Sequence, residues 1–165
     1  IQLYSSDMIK NMDLDEVREF IRNTSEQTCI YIGADSERYC GKDNLWYADY
    51  TLAVVIHYDG SRGCKVFGSV CTERDYDQRK DRVAFRLMNE VYKVAQLYMD
   101  LAEAIGDRHA EVHLDINPDV IHGSSCVVQQ AVGYVRGTCN MVPRIKPDAF
   151  AASYAADRLK EILSA

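Results

Sequence analysis

The sequence has no apolar run approaching the roughly 20 residues that a membrane-spanning helix needs, so no membrane role is expected. It also has no excess of positive charge: 19 Lys and Arg stand against 25 Asp and Glu, a formal net charge of −6. A net negative chain binds phosphate backbones poorly without help. Any nucleic-acid role must therefore rest on a local basic patch, a metal site or another subunit. None of the six cysteines (Cys29, Cys40, Cys64, Cys71, Cys126 and Cys139) forms a Cys-x-x-Cys pair, and no Cys/His group has zinc-finger spacing. A secretory signal pattern is missing too, so reduced thiols in a cytoplasmic protein are expected. There is no Walker loop and no G-x-G-x-x-G, which removes the common nucleotide-binding motifs. Internal repeats, low-complexity stretches and linkers are absent.

What is present suits one folded unit. The 165 residues are 47% hydrophobic, enough for a single core and cramped for two. Residues 1–165 are expected to form one domain, with an N-terminal extension and helix over 1–24 and a core over 25–165.

The pattern along the chain predicts alternating elements. Asp13-Leu14-Asp15-Glu16 reads as a capping box that opens a short helix with Leu14, Val17, Phe20 and Ile21 inward. Cys29 to Ala34 is a short apolar run that suits a central strand covered on both faces. Trp46–Tyr58 and Cys64–Thr72 flank the turn cluster Asp59-Gly60-Ser61-Arg62-Gly63, and the three strands read as an antiparallel meander. A long helix is expected from near Arg79 to Ile105, with Gly106 as its C-cap and Val83, Leu87, Val94, Leu97 and Leu101 inward. A strand over Ala110–Asn117 follows, then a helix opening at Ser124 or Ser125. A short strand near Met141–Ile145 leads to a last helix, with Pro147 at its first position. A meander followed by alternating helices and strands implies an α/β fold with a mixed sheet and helices on both faces. Right-handed crossovers place the Ala110 strand parallel to, and beside, the Cys29 strand.

Four acids stand out by position. Asp35 ends the first apolar strand and Asp115 nearly ends the second parallel one, where α/β sheets hold their ligands. Glu90 interrupts the apolar stripe of the long helix, three residues after Leu87 and four before Val94; a charge there needs a partner or a metal. Asp157 follows the small-residue stretch Ala151-Ala152-Ser153-Tyr154-Ala155-Ala156, which permits close approach of its helix to the sheet. Two carboxylates about 4 Å apart repel by roughly 4 kcal/mol at an effective dielectric of about 20. A shared site therefore calls for a cation, and oxygen-only ligands select Mg²⁺ or Mn²⁺. Lys146, just ahead of the last helix, is a candidate for holding a substrate phosphate. Ser124 and Ser125 read as helix caps, and His109 and His113 as neighbours on one strand face.

This order of elements, with acids on the first strand, the first long helix, the fourth strand and the last helix, resembles the ribonuclease H-like superfamily. Within it, the chain resembles the YkuK family of predicted ribonuclease H-like proteins of bacteria and phages, from about residue 14 onward. The likeness rests on Ile32-Gly33-Ala34-Asp35-Ser36, on His113-Leu114-Asp115-Ile116-Asn117, and on Gly133-Tyr134-Val135-Arg136-Gly137. It rests most on Lys146-Pro147-Asp148-Ala149-Phe150-Ala151-Ala152-Ser153 with Ala156-Asp157. Where the family pattern has Asp-Ser-Gln, this chain has Asp35-Ser36-Glu37. The resemblance implies a five-stranded sheet in the order 3-2-1-4-5 with strand 2 antiparallel. It also implies that Asp35, Glu90, Asp115 and Asp157 hold two Mg²⁺ or Mn²⁺ ions, with Ser36 and Lys146 at the substrate. The expected function is metal-dependent hydrolysis of nucleic-acid phosphodiesters. The alternatives are a catalytically silent ribonuclease H-like binding or assembly module and a metal-dependent phosphatase on small phosphates. A homo-oligomer or a nucleic-acid-processing complex would supply the further subunit that the net charge calls for.

Overall fold

The structure is a computed structural model that describes residues 12–60, 62–76, 83–118 and 127–156. Helix α1 spans Leu14–Arg22. The side chain of Asp13 caps it by accepting from the N–H of Asp15 at 2.9 Å, and Val17 and Ile21 are fully buried. The expected return bond from Glu16 is not made, so the N-cap forms without closing the box.

Strands β1 (Cys29–Cys40), β2 (Trp46–His57) and β3 (Cys64–Arg74) form the meander. Helix α2 (Val83–Ile105) leads through Gly106, at φ 56°, into β4 (His109–His113). The positive φ explains why a glycine ends this helix. Helix α3 covers Val128–Cys139, and a π-wound segment, α4, covers Ala151–Ala156. Ser124, Ser125 and Arg79, proposed as helix ends, lie outside the described residues.

Among the described residues the sheet has four strands in the order β3-β2-β1-β4. β1 pairs antiparallel with β2 and parallel with β4, as the crossover rule requires. The expected fifth strand near Met141–Ile145 is not formed. Only Arg144 bridges His113 in parallel, with its N–H on the Val112 carbonyl and its carbonyl on the Leu114 N–H, each at 2.8 Å. Pro147 does not open the last helix either. It sits in a turn after a cis Lys146-Pro147 peptide, and α4 begins at Ala151.

The core lies between the sheet and α1, α2 and α3. Ile30, Ile32 and Ala34 of β1 meet Leu87, Val91, Val94 and Leu101 of α2 there. The strand pleat sends the alternate residues Tyr31, Gly33 and Asp35 to the opposite face, where α4 packs. Gly33 permits that contact: a Cβ on it would lie 2.5 Å from both the Ala151 carbonyl carbon and the Ala152 nitrogen. The small residues Ala151 and Ala152 are fully buried against it. Helices thus cover both faces of β1.

Candidate functional site

β1 runs further than its apolar stretch. Hydrogen bonding to β2 continues past Asp35 to Cys40↔Trp46, so Asp35 is mid-strand rather than at a strand end. β4 is correspondingly shorter than expected and stops at His113, level with Gly33. Asp35 and Asp115 each lie two residues beyond this last parallel pair. The register thus brings the two acids level, just where the ladder between their strands has ended. Thr51 lies directly opposite Asp35 on β2, and its buried Oγ1 has no hydrogen-bond partner.

Glu90 reaches the same region from α2 and is 3% exposed. The hydroxyl of Ser36 donates to Glu90 Oε1. Arg86, one turn earlier on α2, donates from its guanidinium to both the carbonyl and the hydroxyl oxygen of Ser36, each at 2.8 Å. The Glu90 carboxyl is raised to about 8, by burial first and then by the charges of Asp35 and Asp115, while the Ser36 hydroxyl and the Arg86 charge pull it down. The charges of Asp35 and Asp115 thus reach the buried Glu90 carboxyl.

Lys146 is placed on Asp115, Nζ to Oδ1 at 2.8 Å, with both side chains partly exposed. The Lys146 N–H also bonds the Ile116 carbonyl at 3.1 Å, which fixes the lysine backbone beside β4's continuation. Asp157, the fourth acid, lies outside the described residues.

A second buried group anchors this end of the sheet. His113 is fully buried, with Nδ1 accepting from the Ala151 N–H at 3.0 Å and Nε2 beside Glu111 Oε2 at 3.1 Å. That arrangement selects the Nε2–H tautomer. Burial holds His113 below its ordinary value, against the opposing pull of Glu111. Burial works to raise Glu111, but hydrogen bonds from His113 and Arg144 outweigh it and leave that carboxyl low. Sequence reasoning missed this chain, which ties β4 to α4, and it missed Arg86. The Arg86-x-x-x-Glu90 spacing, one helical turn, was the available signal for the arginine.

A family model described as Ribonuclease H-like matches residues 13–161. The chain belongs to the ribonuclease H-like family. No curated protein and no solved structure matches it. Asp35, Glu90 and Asp115 of this ribonuclease H-like chain all lie inside the matched span, as does Asp157.

The residues suit a hard divalent cation in donor chemistry. Asp35, Glu90 and Asp115 offer only oxygens, and Glu90, raised mainly by burial, also feels the charges of Asp35 and Asp115. Among the described residues no three carboxylate, imidazole or thiol groups stand together as a ready ligand set. Glu90 is engaged by Ser36, and Asp115 by Lys146. No helix among the described residues is long and apolar enough to cross a membrane.

Proposed function

We propose that this ribonuclease H-like chain is a divalent-metal-dependent nuclease whose site is built from Asp35, Glu90, Asp115 and Asp157. The observation that carries the reading is the buried Glu90 carboxyl, raised to about 8 partly by the charges of Asp35 and Asp115. A carboxyl set inside the apolar stripe of a helix and held this far above its ordinary range, chiefly by burial, points to a ligand site. Mg²⁺ or Mn²⁺, as two ions in the full reading, would supply charge neutralisation and an activated water for phosphodiester hydrolysis. Asp35 and Asp115 would hold the ions from the sheet, and Glu90 and Asp157 would complete their shells from the flanking helices. Ser36 orients Glu90 and is itself fixed by Arg86. Lys146 exchanges its ion pair with Asp115 for a substrate phosphate. The motif likeness to the bacterial and phage YkuK proteins agrees with this assignment.

A second reading has its own support. Lys146 already neutralises Asp115, and Ser36 already satisfies Glu90, which is what a silent binding or assembly module on this fold would need. The net charge of −6 favours it as well. The deciding experiment incubates the chain with Mn²⁺ or Mg²⁺ and single-stranded, duplex, hybrid and branched DNA and RNA, beside small phosphate esters. Cleavage of a nucleic acid that EDTA and Asp35→Asn both abolish is the expected result. Calorimetry showing Mn²⁺ bound but no cleavage of any nucleic acid would overturn the nuclease, and turnover of the esters alone would assign a phosphatase.

A further inference from the structure

Among the described residues, one edge of the sheet is open. β3 is the outermost strand and, among the described residues, pairs only with β2. It is 11 residues long, about twice the usual strand length. Its ladder runs from His57↔Cys64 to Tyr47↔Arg74 without a bulge, and the strand contains no proline. Proteins guard free edges with short strands, bulges, prolines or charges. Between Val66 and Thr72, β3 carries none of these, and Val66 is 38% exposed. The opposite edge, β4, is partly covered by the Arg144 bridge.

The backbone phase identifies the outward groups. Asp75 donates its N–H to the Trp46 carbonyl at 2.8 Å, and Tyr58 donates to the Gly63 carbonyl at 3.0 Å. Both bonds continue the β2–β3 register at its two ends, so odd-numbered residues of β3 bond inward. The even-numbered residues Cys64, Val66, Gly68, Val70, Thr72 and Arg74 therefore turn their N–H and C=O groups outward. A strand added at this edge must form its hydrogen-bonded pairs with them.

A second β3 does so when two copies run antiparallel about Ser69. Cys64 then meets Arg74, Val66 meets Thr72 and Gly68 meets Val70 in hydrogen-bonded pairs. In the pairs between them, where side chains come closest, Lys65 meets Glu73, Phe67 meets Cys71, and Ser69 meets itself. Opposite charges thus face each other at both ends, and β-branched residues face each other nearer the centre. Glu73 accepts from Lys93 at 2.5 Å but stays 43% exposed, which leaves it able to take a second cation. Sliding the copies by two residues breaks the Lys65–Glu73 match: one direction sets Phe67 opposite Glu73 and Lys65 opposite Asp75, which Arg38 already holds at 2.7 Å, and the other sets Lys65 opposite Cys71. A cleft of about 550 Å³, lined partly by Leu52, Ser69, Cys71, Tyr92 and Tyr134, opens beside the strand. The Phe67 of a second copy, opposite Cys71, comes to its rim.

We infer that β3 is a self-association edge: two copies of this chain pair β3 to β3, antiparallel about Ser69, and merge their sheets into one. The inference is independent of the metal-site reading. It is tested by sedimentation equilibrium of the full chain under reducing conditions, where the wild type sediments as a dimer. Lys65→Glu sets like charges opposite each other twice per dimer and should weaken association at least about tenfold. The double variant Lys65→Glu/Glu73→Lys should recover most of the loss. Independently, Ser69→Cys in a Cys64→Ser/Cys71→Ser background should oxidise to a dimer with a 69–69 disulfide, identified by peptide mass spectrometry. The paired position at the two-fold suits disulfide geometry. A monomeric wild type without that cross-link overturns the inference, and so does a dimer indifferent to Lys65→Glu.

Discussion

The backbone N–H of Ala151 donates to Nδ1 of His113 across 3.0 Å, so the first residue of α4 hangs on a buried imidazole of β4. His113 is the polar contact that joins the two elements flanking the site, and Phe150 packs its ring on the same imidazole, 4.8 Å between centroids. Replacing His113 by Leu keeps the bulk but orphans the Ala151 N–H and the Glu111 hydrogen bond. We expect a loss of about 1–3 kcal/mol in urea unfolding, the cost of a buried unsatisfied donor. A variant as stable as wild type would show that packing alone seats α4.

Glu90 and His113 set opposite pH dependences. Glu90 is raised to about 8 from an ordinary 4.5, so its folded form keeps a proton that the unfolded chain releases. That contribution is full below 4.5 and is lost as pH rises through 8. His113 is lowered from 6.5, so its folded form stays neutral where the unfolded chain takes up a proton. Its contribution is full above 6.5 and is lost as pH falls towards the folded value. Of these two groups only Glu90 acts between pH 6.5 and 8, and its share should lower stability in EDTA with rising pH by at most about 1.4 kcal/mol per unit. Below 6.5 the two slopes oppose and the curve flattens. In Glu90→Gln the fall above 6.5 should vanish; a slope unchanged by that substitution would remove Glu90 as its source.

Gly33→Ala tests the tight seam between β1 and α4. The added methyl meets backbone atoms of Ala151 and Ala152 at 2.5 Å, and neither can rotate away. Overpacking of this kind typically costs about 1–3 kcal/mol, and we expect the upper part of that range in thermal melts. Under the proposed function, cleavage should fall as well, because β1, which carries Asp35, is forced away from α4. An unperturbed melting temperature would mean that α4 is not seated on β1 as described.

Asp35→Asn should stabilise the metal-free protein near neutral pH by about 1–2 kcal/mol, because it removes one of the charges opposing Glu90. Excess Mn²⁺ should stabilise wild type by mass action and the variant much less. Melts of both proteins in EDTA and in Mn²⁺ separate the effects. Equal Mn²⁺ shifts would place any ion elsewhere.

Lys146→Gln separates the two functional readings. Its ion pair with Asp115 is partly exposed, so stability should change by less than about 1 kcal/mol. If the lysine serves a substrate phosphate, cleavage falls tenfold or more while Mn²⁺ affinity, measured by calorimetry, holds or rises. Cleavage at the wild-type rate would leave the lysine as the local counter-charge of Asp115 and nothing more.

The sequence by itself determined what periodicity and local chemistry encode. The apolar alternation and turn clusters predict the meander, and the stripe on α2 predicts both the buried face and the anomaly of Glu90. The crossover rule predicts β4 beside β1 in parallel. These are local signals or general rules of chain handedness, so they are readable one segment at a time. Strand lengths were decided by partners: β2 holds β1 in extended form through Cys40, past the end of the apolar run, because cross-strand hydrogen bonds do not depend on hydrophobicity. The 141–145 segment reads as a strand, yet it bonds β4's continuation only around Arg144. Pairing over one bridge does not make a ladder. Lys146 on Asp115, Ser36 on Glu90 and His113 on Ala151 join residues between 31 and 54 positions apart. No local pattern records such contacts. They exist because β4 stops beside the middle of β1 while a helix packs on each face of that strand, and only the folded chain brings those segments together.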